Sequence, residues 1–246
     1  MSPIRHHGHS AATLQIGLLL FDEVELLDFA GPYEVFTTAT RMHARLYGDP
    51  AGPATSHAPD TPPRFQVVNI AARRAPVRAR AGLLLQPDAD FSDAPPLDVL
   101  IVPGGVVDGA RADAATLGWI ARAGAAARLV ASVCTGAFLL ADAGLLPAGA
   151  RCTTHWEDLD ALRRAHPQLQ VLGDPAGGGP RWVWHGDDVA ADVTAGATAG
   201  AAPPVVSSAG ISAGMDLALH LVERLAGRPL AERTARQMDY RWLDQP

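Results

Sequence analysis

The chain has 246 residues, 48% of them hydrophobic, enough for a sizeable buried core and against disorder as its dominant state. Its 26 acidic residues outnumber 20 basic ones, a formal charge of −6, so nothing in the overall balance attracts nucleic acid or an anionic membrane. Every basic residue is an arginine, and the lack of lysine excludes a Walker A phosphate loop, a Schiff-base mechanism and a pyridoxal phosphate anchor.

Residues 1–13 read as a flexible tail that carries His6, His7 and His9 as solvated side chains. LQIGLLLF (14–21) is a continuous apolar run of strand length, the pattern of a parallel strand covered on both faces. A helix follows to about Thr40, with Asp28 able to cap it, Pro32 in its first turn, and Leu27, Tyr33, Val35 and Phe36 as apolar surface. Short strands are predicted over 43–47 and 65–70, separated by a polar, Pro/Gly-rich surface loop at 48–63. After an excursion at 76–85, DVLIVPGG (98–105) is a second buried strand ending in a glycine pair. Leu117, Ile120 and Ala121 set a helix over 113–126.

RLVASVCTGAFLLADAGLL then gives a strand over 129–133, an abrupt turn at Cys134 and Thr135, and a short helix to about Ala143. Strand, helix and strand follow over 151–154, 157–165 and 169–172, all assigned to the same sheet. A glycine-rich turn spans 173–180, WVWH (182–185) reads as an arm of an antiparallel excursion, and 186–204 as an inserted loop or irregular hairpin. A strand over 205–207, a helix over 212–226 and an amphipathic helix over 231–240 close the pattern, leaving 241–246 as a C-terminal tail. Repeated strand, helix, strand predicts an α/β fold: one domain over 14–240, with an open, mostly parallel sheet and helices on both faces.

Two cysteines without C-x-x-C spacing make no disulfide framework, and a reducing cytoplasm is the expected compartment. Cys134 sits at the carboxyl end of a parallel strand and before a helix, the edge where open α/β sheets place their sites. It reads either as a nucleophile whose thiolate the helix amides favour, in the manner of a nucleophile elbow, or as a packing residue. Gly104 and Gly105 end the neighbouring strand, either as a tight turn or as donors that share an oxyanion hole with the Thr135 amide. Asp28 lies at the same edge, as a helix cap or as an acid or base beside the thiol. Glu25 is a weaker alternate. His155 returns to that edge as a base, a hydrogen-bond partner or a packing residue, with Trp156 as an aromatic wall. The remaining histidines have no ligand spacing, so no metal site is expected, and Cys152 reads as buried filler.

LQIGLLLFDEVELLDFAGPYEVF, DVLIVPGG, VASVCTGAFLLADAGLL, TTHW and SSAGISAGMDLALHLVERL together make the sequence similar to the DJ-1/PfpI superfamily. The resemblance implies the flavodoxin-like, class I glutamine-amidotransferase-like fold, and is strongest to the isonitrile hydratase-like and AraC-regulator-like branches. It makes Cys134 the reactive cysteine, Asp28 its acidic partner, Gly105 and the Thr135 amide oxyanion-binding neighbours, and His155 the nearby histidine. Protease-like relatives carry histidine after the cysteine, where this chain has Thr135, so their Cys-His dyad is not implied. The implied activity is cysteine-dependent hydration of an organic isonitrile to an N-substituted formamide. It needs a small electrophilic substrate and no nicotinamide, flavin, metal or ATP. A homodimer with sites near the subunit boundary is implied, with no nucleic-acid or membrane partner. Two alternatives stand beside it: a glyoxalase or deglycase acting on small dicarbonyls, and a redox-sensing or regulatory domain related to the amino-terminal part of AraC-like regulators.

Overall fold

A computed structural model describes residues 12–47, 62–185 and 202–246. Nearly all of the tail expected over 1–13, and most of the loops expected over 48–63 and 186–204, lie outside the described residues. The first half runs β1 (Leu14–Leu19), α1 (Leu26–Tyr47), β2 (Phe65–Ala71), β3 (Val77–Arg78), β4 (Leu84–Leu85), β5 (Ala89–Asp90), β6 (Val99–Val102), α2 (Asp108–Ala112) and α3 (Ala114–Ala126). The second half runs β7 (Leu129–Val133), α4 (Gly136–Asp142), β8 (Arg151–Cys152), α5 (Leu159–Ala165), β9 (Gln170–Val171), β10 (Trp182–His185), β11 (Val205–Ser208), α6 (Ala213–Ala226) and α7 (Arg228–Gln237).

The main sheet has seven strands in the order β10, β11, β7, β6, β1, β2, β5. Every neighbouring pair is parallel except β10 and β11. Because side chains alternate across a strand, each central strand feeds two cores. Val99 and Ile101 of β6, with Leu129, Ala131 and Val133 of β7, pack under α1, α6 and α7. Leu100 and Val102, with Val130, pack under α3, α4 and α5 through Ile120, Leu139 and Leu162. Each such fully buried aliphatic side chain contributes roughly 2 kcal/mol, which explains why continuous apolar runs, rather than alternating ones, mark these strands. Among the described residues no helix is long and apolar enough to cross a membrane.

Three expectations change. Residues 43–47 are the last turns of α1 and not a strand, because Val35, Phe36, Ala39 and Met42 carry one buried helical face past Thr40. Since α1 starts at Leu26, Pro32 lies beyond the first turn and leaves the Asp28 carbonyl without its helical donor. Strands β8 and β9 pair only with each other, outside the main sheet. After β8 the Thr153 amide donates to the Ser207 hydroxyl of β11 at 2.8 Å, a side-chain bond that docks this segment on the sheet without extending the ladder.

Candidate active site

Strands β6, β7 and β11 all end at one edge, and Cys134 follows the middle one of the three. The Cys134 amide reaches across to the carbonyls of Ser208 and Ala209 at 3.2 and 3.3 Å, while Thr154 Oγ1 donates to its carbonyl at 2.9 Å. To leave the sheet and enter α4 at once, Cys134 takes φ +57°, a left-handed conformation that costs a non-glycine residue about 1–2 kcal/mol. Tertiary hydrogen bonds on both sides of its peptide hold it there.

Asp28 occupies the first turn of α1, directly after the loop that leaves β1, and is completely buried. It does not cap the helix. Oδ2 instead accepts the Gly104 amide at 3.1 Å, and Oδ1 has no hydrogen bond of ordinary geometry. The Cys134 thiol and the Ile211 amide also act on the carboxyl, each favouring its ionised form. Burial raises the Asp28 pKa to about 7; the thiol and the Gly104 amide oppose that rise, and the charge of Glu25 adds to it. Burial, and then the Asp28 charge, push the Cys134 thiol well above the ordinary thiol range. The Thr135 and Ile211 amides oppose this only in part. The expected net pull of the helix toward thiolate is therefore reversed: α4 is a seven-residue helix, and desolvation plus an adjacent carboxylate outweigh its amides.

The glycine pair serves this carboxyl. A Cβ at Gly104 would come within 2.9 Å of Asp28 Oδ2, and at Gly105 it would overlap the Glu23 carbonyl, where φ is also +140°. The Gly104 amide is donated to Asp28, and the Gly105 amide to Thr135 Oγ1 at 2.9 Å. Thr135 Oγ1 returns its own proton to the Gly105 carbonyl at 2.9 Å. Both amides expected to face an oxyanion are thus engaged by side chains, and the amides acting on the Cys134 sulfur are those of Thr135 and Ile211.

His155 lies behind this arrangement. Its ring packs against Gly210, where any Cβ would overlap it, and Nδ1 faces Asp158 at 3.5 Å and Glu157 at 3.9 Å. Trp156 beside it is half exposed. Ile211 is a site residue that sequence reasoning misses. It holds φ +49°, an outlier for a β-branched residue. The signal that could find it is topological: SSAGIS ends a third parallel strand, at the same edge as Cys134. Cys152, by contrast, is fully buried, and burial alone raises its pKa to about 11.

A half-open cavity of about 350 Å³ adjoins the pair, walled by Thr154, His155, Trp156, Leu159, Arg181 and Ile211 together with the 173–180 turn. Cys134 and Asp28 are not in its walls; Thr154 and Ile211, which touch both the cavity and the Cys134 peptide or thiol, join the two. Among the described residues, no group of three or more His, Cys, Asp or Glu side chains is placed to hold a metal.

Comparison with known proteins places these features in context. A model of the DJ-1/PfpI family matches residues 15–224. The chain is 40% identical over 150 residues to the isonitrile hydratase of Pseudomonas putida, covering 61% of this chain and 55% of the relative. It is 31% identical over 157 residues to the HTH-type transcriptional regulator GbdR of Pseudomonas aeruginosa, covering 63% of this chain and 38% of the regulator. The chain thus spans about half of the hydratase and less of the regulator. Among solved structures, a THiJ/PfpI family protein from Pseudomonas syringae superposes with a TM-score of 0.69 at 28% identity, over 98% of this chain and 80% of that one.

Proposed function

The chain belongs to the DJ-1/PfpI family, and from that premise we propose that it hydrates an organic isonitrile to the N-substituted formamide. The observation that carries the reading is a completely buried carboxyl, Asp28, set beside the Cys134 thiol in the left-handed turn after β7; burial raises the carboxyl to about 7 and, with the carboxylate charge, keeps the thiol protonated. Together they form a pair that holds one transferable proton near neutral pH.

An isonitrile carbon is both an electrophile and the site of a lone pair, so it must gain a nucleophile and a proton at one atom. Asp28 takes the Cys134 proton as sulfur bonds to that carbon, then gives the proton to the same carbon. The S–H bond breaks, S–C and C–H bonds form, and the product is a thioimidate on Cys134. Water then adds to the C=N carbon with Asp28 relaying its proton to nitrogen. Collapse of the adduct breaks the S–C bond, the hydroxyl proton returns through Asp28 to sulfur, and N-substituted formamide leaves. The Thr135 and Ile211 amides favour negative charge on sulfur during attack and departure. The Gly104 amide holds Asp28 in position, and the Thr135–Gly105 clasp ties the glycine pair to the turn that carries Cys134.

A raised thiol pKa weighs against the redox-sensing alternative, since oxidation proceeds through thiolate. A regulatory, ligand-sensing role keeps one specific support, the likeness to the GbdR regulator. Incubation with cyclohexyl isonitrile and, separately, methylglyoxal, followed by mass spectrometry of the products, separates the readings. N-cyclohexylformamide formed by the native protein and not by Cys134→Ala is the expected result. Turnover of methylglyoxal alone selects the dicarbonyl class, and turnover of neither substrate selects the regulatory reading.

A further inference from the structure

We propose that the cavity beside the Cys134–Asp28 pair binds the N-substituent of the isonitrile, and that it takes an uncharged aromatic ring; this rests on the hydratase reading above. At about 350 Å³ it is more than twice the roughly 150 Å³ that accommodates benzene in an apolar cavity, so it holds one substituted ring with space to spare. Its lining includes Trp156, which is half exposed, and the aliphatic residues Leu159 and Ile211. Its remaining wall is largely backbone, supplied by the glycine-rich 173–180 turn. A flat ring suits that combination, stacking on an indole and lying against peptide planes, better than a bulky branched group does.

Charge selects among aromatic substituents. Arg181 is the cationic side chain of the wall, but its Nε donates to Asp216 at 2.7 Å, and Asp216 is completely buried. The Arg181 charge is therefore balanced within the protein and offers little to an anionic substituent. The Asp174 carboxylate, also on the wall, accepts the Ala176 amide at 2.8 Å and faces solvent, so it gives a cation only a screened partner. With His155 Nδ1 turned to Asp158 and Glu157, and the Thr153 and Thr154 hydroxyls donated to the Leu172 and Cys134 carbonyls, the neutral, apolar part of the wall is the part left to bind.

Position supports the assignment. Ile211 lines the cavity and directs its amide to the Cys134 thiol, and Thr154 lines the cavity while its hydroxyl bonds the Cys134 carbonyl. An isonitrile whose ring occupies the cavity directs its linear N≡C group past Ile211 toward sulfur.

Two variants test the cavity from opposite directions. Trp156→Ala removes a wall. Gly178→Leu adds bulk at a lining position where a Cβ meets no atom within 4 Å and φ lies outside the left-handed region. Each should lower the ratio of kcat/KM for phenyl isonitrile to kcat/KM for methyl isonitrile by about tenfold or more. An unchanged ratio in both variants overturns the proposal. Binding of formanilide, followed by tryptophan fluorescence, is read in parallel and needs no turnover. Loss of binding in Gly178→Leu supports the cavity even if neither isonitrile is hydrated, an outcome that sinks the hydratase reading alone. Absence of formanilide binding to the native protein overturns the cavity assignment whatever the turnover.

Discussion

Cys134 and Cys152 are both free, both buried and both pushed above the ordinary thiol range, yet the regions around them differ in one decisive respect. Cys152 sits in a two-residue strand outside the main sheet, and burial alone accounts for its raised pKa. Cys134 stands at the edge where three parallel strands end, in a left-handed turn, with a buried carboxyl and two amides directed at it. Burial by itself makes a thiol inert. Burial together with an adjacent buried carboxyl, itself raised to about 7, makes a proton-transfer pair, because the proton that the thiol gives up has somewhere to go.

The largest effect that sharpens this comparison is expected from truncating each thiol. Cys134→Ala should reduce isonitrile turnover by at least about 10⁴-fold, the scale for loss of a nucleophile, while Cys152→Ala should leave it within about threefold. Formamide production by matched preparations, with thermal unfolding to verify the fold, checks both. Equal losses would erase the distinction between the two regions.

Next in size is Asp28→Asn, expected to lower turnover by about 10²–10⁴-fold. The same variant should alter stability in a pH-dependent way. The folded-state pKa of Asp28 is about 7 against an ordinary 3.8, so folding favours the neutral carboxyl. That contribution is complete below pH 4 and is lost as pH rises through 7, up to about 4 kcal/mol in all. Asp28→Asn escapes this loss, so its Tm relative to the native protein should be higher at pH 8 than at pH 5. A Tm difference that is flat across this range would mean that Asp28 is not a strained buried acid.

Turnover by the native protein should rise about tenfold per pH unit below 7, then level off as the pair settles with one proton. A kcat/KM profile over pH 5–9 measures this, and a profile falling through pH 7 would show that the doubly protonated pair is the active form. The smallest effect concerns alkylation. Because the Asp28 charge raises the Cys134 pKa, Asp28→Asn should speed iodoacetamide modification of Cys134 at pH 8 and leave Cys152 unchanged. Peptide mass analysis over time distinguishes the two sites.

Much of the framework is legible in the amino-acid sequence. Continuous apolar runs identify β1, β6 and β7 because a strand covered on both faces has no polar side to display. Asp113 marks the start of α3, where its carboxylate accepts the amides of Ala115 and Thr116, since the cap residue and the apolar period that follows are both local. The position of Cys134 between β7 and α4 is equally local. The extent of α1 past Thr40 is legible only in part, because Pro32 draws attention to the helix start while the buried face runs on to Met42.

What only the tertiary structure decided is the state of the site. A glycine pair after a strand has two amides to give; the sequence cannot say that Asp28 takes one and Thr135 the other, because those partners come from separate strand ends. Nor can it give the role of Ile211: the strand pattern brings SSAGIS to the right edge, but the amide reaches the thiol through a backbone conformation that the side chain disfavours. The protonation of Cys134 is the sharpest case. Local pattern favours thiolate through the helix that follows, whereas the fold buries the sulfur and brings a carboxyl from α1 beside it. A pKa is set by desolvation and by charges within a few ångströms, and both are properties of the folded neighbourhood rather than of the chain order that encodes the strands.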